Sequence, residues 1–247
     1  MSYSVVLPTL NEAGHIVDLI KKIRSVFLEI GTKFEIIVVD DSSSDGTDKL
    51  CNKMVVEFEN LSFFSRRGFK KNLAESINLG IQKSKYENII WMDADFQHPP
   101  DFFTLFHKYH DQYDVLIFSR FLKDSIRYFE KEKYKKEVNE NQSVFFNKLC
   151  NFFLYKDITD YTSGFICIKK KNLENYQLKG YYGEYFIDLI IYCKSKKFSI
   201  AELPFVENKR VTGMSKTFPG LTFRYLVLLY KYFLCLIKNI LKKNFIK

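Results

Sequence analysis

The stretch Asn88-Ile89-Ile90-Trp91-Met92-Asp93-Ala94-Asp95-Phe96-Gln97-His98-Pro99-Pro100 decides the reading of this chain. Its first five residues are apolar and partly β-branched, the pattern of a core strand, and the two prolines stop it. In extended backbone, residues two apart point to the same side, about 6.5–7 Å from each other. Asp93 and Asp95 are therefore expected to converge on one divalent cation, with Gln97 next on that face. Hard oxygen donors suit magnesium or manganese, which normally complete their shell with substrate phosphates. The alternative for Asp-Ala-Asp taken alone is a strand that ends in a solvated acidic turn.

Two further segments repeat the pattern. Ser4-Val5-Val6-Leu7-Pro8-Thr9-Leu10-Asn11-Glu12 is a short apolar strand followed by a polar loop and a helical run from about Ala13 to Phe27. Phe34-Glu35-Ile36-Ile37-Val38-Val39 is a second strand, ending in Asp40-Asp41-Ser42-Ser43-Ser44-Asp45-Gly46-Thr47. Three strands thus end in acid-rich loops, each followed by a helix. In an open parallel α/β sheet, ligands bind beyond the carboxyl ends of the strands, where these loops gather. That arrangement favours a metal-diphosphate site over a solvated turn.

Length and charge bound the remaining choices. A chain of 247 residues can bury a substantial core as one α/β domain. Cys51, Cys150, Cys167, Cys193 and Cys235 are odd in number and widely spaced, which supports neither disulfides nor a zinc site. The N-terminus enters a strand at once, so a reducing, cytoplasmic location is expected. The net charge of +9 admits nucleic acid, an anionic lipid surface or a phosphorylated substrate as partner. No nucleic-acid-binding motif accompanies the basic residues, so no nucleic-acid partner is expected.

The tail is the second informative segment. Residues 221–241 are mostly apolar and long enough to cross a bilayer, yet Arg224, Lys231 and Lys238 recur every seven residues, with Lys242 on the same helical stripe. A lysine at the bilayer centre costs about 2.5–3.5 kcal/mol on insertion scales, and Lys231 would sit near it. Residues 217–247 are therefore expected to form an amphipathic helix on the cytoplasmic membrane face, its basic stripe toward the headgroups. The alternative is a helix packed on the rest of the chain or on a membrane subunit.

The acidic motifs resemble the nucleotide-diphospho-sugar transferases of glycosyltransferase family 2, with the GT-A fold. The matching pieces continue through Ser119-Arg120, Asp160-Tyr161-Thr162-Ser163-Gly164-Phe165 and Glu202-Leu203-Pro204-Phe205 to Arg210 and Gly213-Met214-Ser215-Lys216. The Gln-His-Pro-Pro extension and the last two pieces resemble the dolichyl- and polyprenyl-phosphate sugar transferase branch. The resemblance implies a single GT-A domain over residues 1–216 with a mostly parallel central sheet. It implies transfer of a hexose, with inversion, from a nucleotide-diphosphate sugar of the GDP-mannose or UDP-glucose type to a polyprenyl or dolichyl monophosphate.

Site residues follow from the same resemblance. Pro8, Glu12 and Asp40 would contact base and ribose, and Asp93, Ala94, Asp95 and Gln97 would address metal and diphosphate. Arg120, Arg210 and Ser143 would contact the acceptor phosphate or the reacting diphosphate, and Lys216 closes the final motif. The chain departs from the branch at Asn139, where an arginine is usual, and at Gly68-Phe69-Lys70-Lys71-Asn72, where a Gly-Leu-Gly turn is usual. Asp45 reads mainly as a helix cap and His98 as a turn former. A family 2 enzyme acting on a saccharide or protein hydroxyl, and a sugar-nucleotide sensor without turnover, are the other functions this pattern admits.

Overall fold

The computed structural model describes residues 1–125, 138–208 and 223–245, with backbone alone at 138–143, 223–226, 228, 244 and 245. Its centre is a seven-stranded sheet in the order β3-β2-β1-β4-β6-β5-β7. The strands are β1 (Ser2–Thr9), β2 (Lys33–Asp40), β3 (Leu61–Ser65), β4 (Asn88–Trp91), β5 (Val115–Ser119), β6 (Ile166–Lys169) and β7 (Ile200–Pro204). β1 to β4 pair in parallel, as do β5 and β7, whereas β6 runs antiparallel between β4 and β5. The mostly parallel sheet expected from the sequence is present.

Both faces of the sheet are covered, which is why its strands are near-continuous apolar runs. Tyr3, Val5 and Leu7 of β1 face one core with Ile90, Leu116 and Phe118, under α1 (Ile16–Ile30), α2 (Thr47–Glu57) and α4 (Phe103–Tyr109). Val6, Ile89, Trp91, Val115 and Ile117 face the other. Over them lie α3 (Leu73–Lys83), α5 (Val138–Phe153), α6 (Tyr185–Ser195) and α7 (Phe223–Phe245). The alternation follows the two-residue period of extended backbone. Gly80 of α3 is required by close approach: a Cβ there would lie 2.2 Å from Val6 Cγ1.

Two expectations change here. The helix after β1 starts at Ile16 rather than near Ala13, because residues 12–15 form a turn in which the Glu12 carbonyl accepts from the amides of His15 and Ile16. The basic stripe of the tail does not face away from the domain. Lys238 and Lys242 reach Asp188 of α6, at 3.0 and 3.2 Å, and Lys231 Nζ sits 3.6 Å from the centre of the Tyr181 ring. Asn239, fully buried, donates to the same carboxylate at 2.9 Å. α7 is thus the packed helix of the alternative reading. Its lysines turn inward because Asp188, a buried acid fifty residues away, needs partners.

Candidate active site

The carboxyl ends of β1, β2 and β4 bring their loops to one edge of the sheet, and hydrogen bonds stitch the first two together. Asn11, held at φ 56°, donates its amide to Ser43 Oγ at 2.7 Å and accepts the Ser44 amide at 2.8 Å. The Glu12 amide donates to Thr47 Oγ1 at 2.9 Å, and the Ala13 amide to Asp45 Oδ2 at 2.9 Å. Asp45 also accepts the Thr47 amide at 3.1 Å, so it caps α2 from one residue beyond Gly46, whose φ of 95° makes the turn. Burial works against its charge, but the bonds from Thr47 and Ala13 prevail and hold its pKa below the ordinary carboxylate range.

Asp40 ends β2 beside Pro8, since Pro8 pairs with Val39 and Thr9 with Asp40. It is buried, accepting from the Ser43 amide at 2.9 Å and from Thr9 Oγ1 at 3.3 Å. Glu12 is buried with its Oε2 2.7 Å from His15 Nε2. The neighbouring Asp41 takes a different part. It accepts from Arg66 Nη1 and, at 2.6 Å, from the Asn72 amide, tying the unusual Gly68–Asn72 turn to β2. Burial pushes its pKa up, against those donors.

The geometry expected at Asp93 and Asp95 needs correcting. β4 ends at Trp91, its last pairing on both β1 and β6, so the two aspartates lie in a bend rather than on extended backbone. Phe96 turns the chain at φ 65°, Asp93 is exposed, and Asp95 is 3% exposed with its Oδ1 accepting the Gln97 amide at 3.0 Å. The strand period therefore does not place these carboxylates. His98 shapes the bend: its Nδ1 accepts the Asp93 amide at 3.0 Å, which puts its proton on Nε2, and its ring stacks on Phe165 with centres 4.9 Å apart. Asp93, Asp95 and Gln97 still offer only hard oxygen donors, and Ala94 between them is buried. No group of three or more His, Cys, Asp or Glu residues gathers among the described residues. Magnesium or manganese fits such a set, since these ions take one or two carboxylates and leave the rest of the shell to phosphate and water.

Next to this bend stands a partly buried arginine. Arg120, just past β5, donates from Nε to Asp160 Oδ2 at 2.8 Å and from Nη2 to Asp160 Oδ1 at 2.9 Å. Nη2 also meets the Thr162 carbonyl at 2.9 Å and its hydroxyl at 2.8 Å. Burial alone would lower the guanidinium pKa, but Asp160, then Glu207 and Asp93, raise it and keep it charged. Glu202 of β7 holds the Asp160 loop from behind by accepting the amides of Thr159 at 2.7 Å and Asp160 at 2.9 Å. Asn147 of α5 accepts the Tyr161 amide at 2.6 Å and donates to Thr162 Oγ1 at 2.9 Å. The segment after β7 closes on the acidic bend, with the Asn208 amide 3.2 Å from the Gln97 carbonyl.

The structure thus gathers Pro8, Glu12, Asp40, Asp93, Ala94, Asp95, Gln97 and Arg120 at one end of the sheet. Arg210 and Lys216 lie outside the described residues, as do the side chains of Ser143 and Asn139. The sequence reading assigned no role to Asp160, Glu202, Glu207 or Asn147. Two of these stand inside motifs it quoted, and the available signal was an acidic residue within an otherwise apolar or small-residue motif. The five cysteines are buried and free, and burial raises the thiol pKa of Cys51 to about 12, so they are packing residues here.

The antiparallel β6 set into a parallel sheet, with acidic loops at its mouth, defines a GT-A-type glycosyltransferase domain. The chain belongs to glycosyl transferase family 2, whose family model matches residues 4–177. It is 28% identical over 236 residues to a dolichol-phosphate mannosyltransferase of Pyrococcus furiosus, covering 94% of this chain and 63% of that protein. It is 26% identical over 234 residues to the dolichol-phosphate mannosyltransferase of Saccharomyces cerevisiae, covering 92% of this chain and 85% of that one. Among solved structures, glucosyl-3-phosphoglycerate synthase from Mycobacterium tuberculosis, in complex with Mn2+, UDP and phosphoglyceric acid, has the same fold. The TM-score is 0.69 at 15% identity, over 97% of this chain and 78% of that one.

Proposed function

We propose that the protein transfers a hexose from a nucleotide-diphosphate sugar to a polyprenyl or dolichyl monophosphate, with inversion, at the cytoplasmic face of a membrane. The observation that carries this reading is the adjacency of two unlike sites: Arg120, partly buried and held charged by Asp160, also feels the charge of Asp93 in the acidic bend. A lipid monophosphate has a second pKa of about 6 and is mostly a dianion near neutrality, so it needs no general base. It needs cations that hold it beside a second anion. Arg120 is oriented for this by Asp160 and Thr162, with Arg210 and Ser143 as further contacts to acceptor phosphate or diphosphate.

In this scheme Pro8, Glu12 and Asp40 receive the nucleoside at the stitched ends of β1 and β2. Asp93, Asp95 and Gln97 would hold a divalent ion, which when bound would offset the charge of the departing nucleoside diphosphate. An oxygen of the acceptor phosphate forms the new bond to the anomeric carbon as the bond to the diphosphate breaks, and the diphosphate keeps the electron pair. Lys216 closes the motif that carries Arg210.

A second reading has one observation in its favour. Glu207 is buried and its charge acts on Arg120, and a sugar or protein hydroxyl acceptor would need a carboxylate of this kind as its base. Incubation with radiolabelled nucleotide sugars, manganese and either a polyprenyl phosphate or soluble hydroxyl acceptors, followed by organic extraction, separates the two. Label is expected in the organic phase, to be lost with Asp95→Ala or on chelation of the metal. Label only in soluble product would establish the second reading, and undiminished transfer by Asp95→Ala would remove Asp95 from the metal site.

A further inference from the structure

The ladder between β4 and β6 ends at the pair Trp91 and Ile166, so past that point no strand pairing holds the acidic bend against the loop 160–165. Two side-chain struts do so, one on each face of the sheet. On the face of α1, His98 accepts the Asp93 amide and stacks on Phe165. On the face of α6, the Trp91 indole donates from Nε1 to the Tyr185 hydroxyl at 3.1 Å. That hydroxyl lies 3.7 Å from where a Cβ on Gly164 would stand.

Tyr185 opens α6 and is itself held from behind. Glu184 turns its carboxylate onto the amides of Tyr181 and Tyr182, at 2.9 Å each, and the Gly183 carbonyl accepts the Phe186 amide at 3.1 Å. The tyrosine is buried, so its hydroxyl is placed by packing. Burial raises its pKa, and Asp93 and Glu184 add to this against the Trp91 bond, so the group stays a neutral hydroxyl. Phenylalanine would fill the same space, and a buried hydroxyl is costly without a partner. What the oxygen adds is a tie to the last residue of β4.

We propose that Tyr185 is a positioning residue: its hydroxyl, bonded to Trp91 and set against Gly164, fixes the distance from the acidic bend to the Arg120 clamp. Asp93 lies two residues after Trp91. On the other side, Thr162 lies two residues before Gly164 and holds Arg120 Nη2 by both its carbonyl and its hydroxyl. A shift at the tyrosine is therefore passed to both anion-binding places over a short length of chain. The consequence for transfer rests on the reaction proposed above, in which an anion at each place must meet the other in line. A misplacement of about 1 Å costs on the order of a hundredfold in rate.

The test removes the tie from either end, with Tyr185→Phe, which deletes one oxygen, and Trp91→Phe, which deletes the indole donor. Both are compared with wild type, as the full chain, by phosphorus NMR relaxation of a short, water-soluble isoprenyl phosphate in the presence of GDP or UDP, with Mn2+ set against Mg2+. The paramagnetic enhancement falls with the sixth power of the distance from manganese to phosphorus and needs no turnover. It is expected to drop at least about twofold in both variants, with kcat lower by about ten- to a hundredfold and the KM of donor and acceptor within about twofold of wild type. A merely structural role would lower the unfolding midpoint and leave enhancement and kcat alone, and that result overturns the proposal. So does an unchanged enhancement with a raised KM for one substrate, which would make Tyr185 a contact to that substrate, and so does a wild type without any enhancement. Failure of the reaction reads differently. A wild type that shows the enhancement, loses it in both variants and transfers no hexose sinks the reaction and keeps the positioning role. Hexose transfer and enhancement equal in all three proteins do the reverse.

Discussion

Replacing Asp160 by asparagine tests the arginine site most directly. Asp160 is fully buried and accepts from Arg120 N, Nε and Nη2 and from the amide and hydroxyl of Thr162. An asparagine has one oxygen. With that oxygen at the Oδ1 position its amino group faces the two Arg120 donors that met Oδ2; flipped, it faces Nη2 and Thr162. Either way donors oppose donors, and the guanidinium loses its counter-charge. Breaking a buried pair by removing one partner costs about 3–5 kcal/mol. The low end applies here, about 3 kcal/mol, because the Arg120 side chain keeps 18% exposure and asparagine keeps the shape. Urea unfolding measures this. The sign with pH is also fixed: burial would raise the Asp160 pKa, but Arg120 outweighs it and holds the pKa down. A depressed carboxyl stabilises fully above its unfolded value of about 3.9, and that stability disappears as pH falls through the lower folded value. Asparagine does not titrate, so the gap between the two proteins should be widest above about pH 4 and should close below it. A gap under about 0.5 kcal/mol at neutral pH, or one that persists unchanged into acid, would refute the account. In turnover, the variant should raise the acceptor KM more than the donor KM.

Gly80→Ala should lose about 2 kcal/mol in the same unfolding assay, because the overpacking against Val6 exceeds the gain in helix propensity. Adding Val6→Ala should restore less than it removes elsewhere in the core but lower the penalty of the Gly80 change itself, a positive coupling in the double-mutant cycle. Asp188→Asn should loosen α7 by about 1 kcal/mol, a figure discounted because both lysines are about half exposed. Burial opposes charge at both Asp188 and Lys238, yet their mutual contacts prevail, lowering the first pKa and raising the second. The contribution should therefore be intact near neutrality, fading in acid as Asp188 protonates and in strong alkali as Lys238 loses its proton, with neither limb present in the variant.

Much of the site was legible because its residues cluster in sequence. Strands, turns and the acidic loops after β1, β2 and β4 are local features, and the rule that parallel strands deliver their ligands at one edge turns three separate loops into one site. The resemblance of the same motifs to family 2 transferases agreed with the family match. The Arg120 clamp escaped because its members come from β5, β7, α5 and the loop before β6, forty or more residues apart in several pairs, so their partnership leaves no spacing to read. The aspartate geometry was misjudged for a related reason: where a strand stops depends on where its neighbours stop, and β4 loses both ladders at Trp91.

By itself the sequence determined three strands, those before the loops at Leu10, Asp40 and Asp93, that their acids collect at the carboxyl edge, and that the tail is helical with lysines on one stripe. These follow from period and from side-chain chemistry, which act over a few residues. The tertiary structure alone decided which way that stripe points. A helix with apolar residues on two sides and a basic line between them has two comparable ways to lie. The buried carboxylate of Asp188, costly to leave unpaired, draws the lysines inward and leaves the other apolar side facing out.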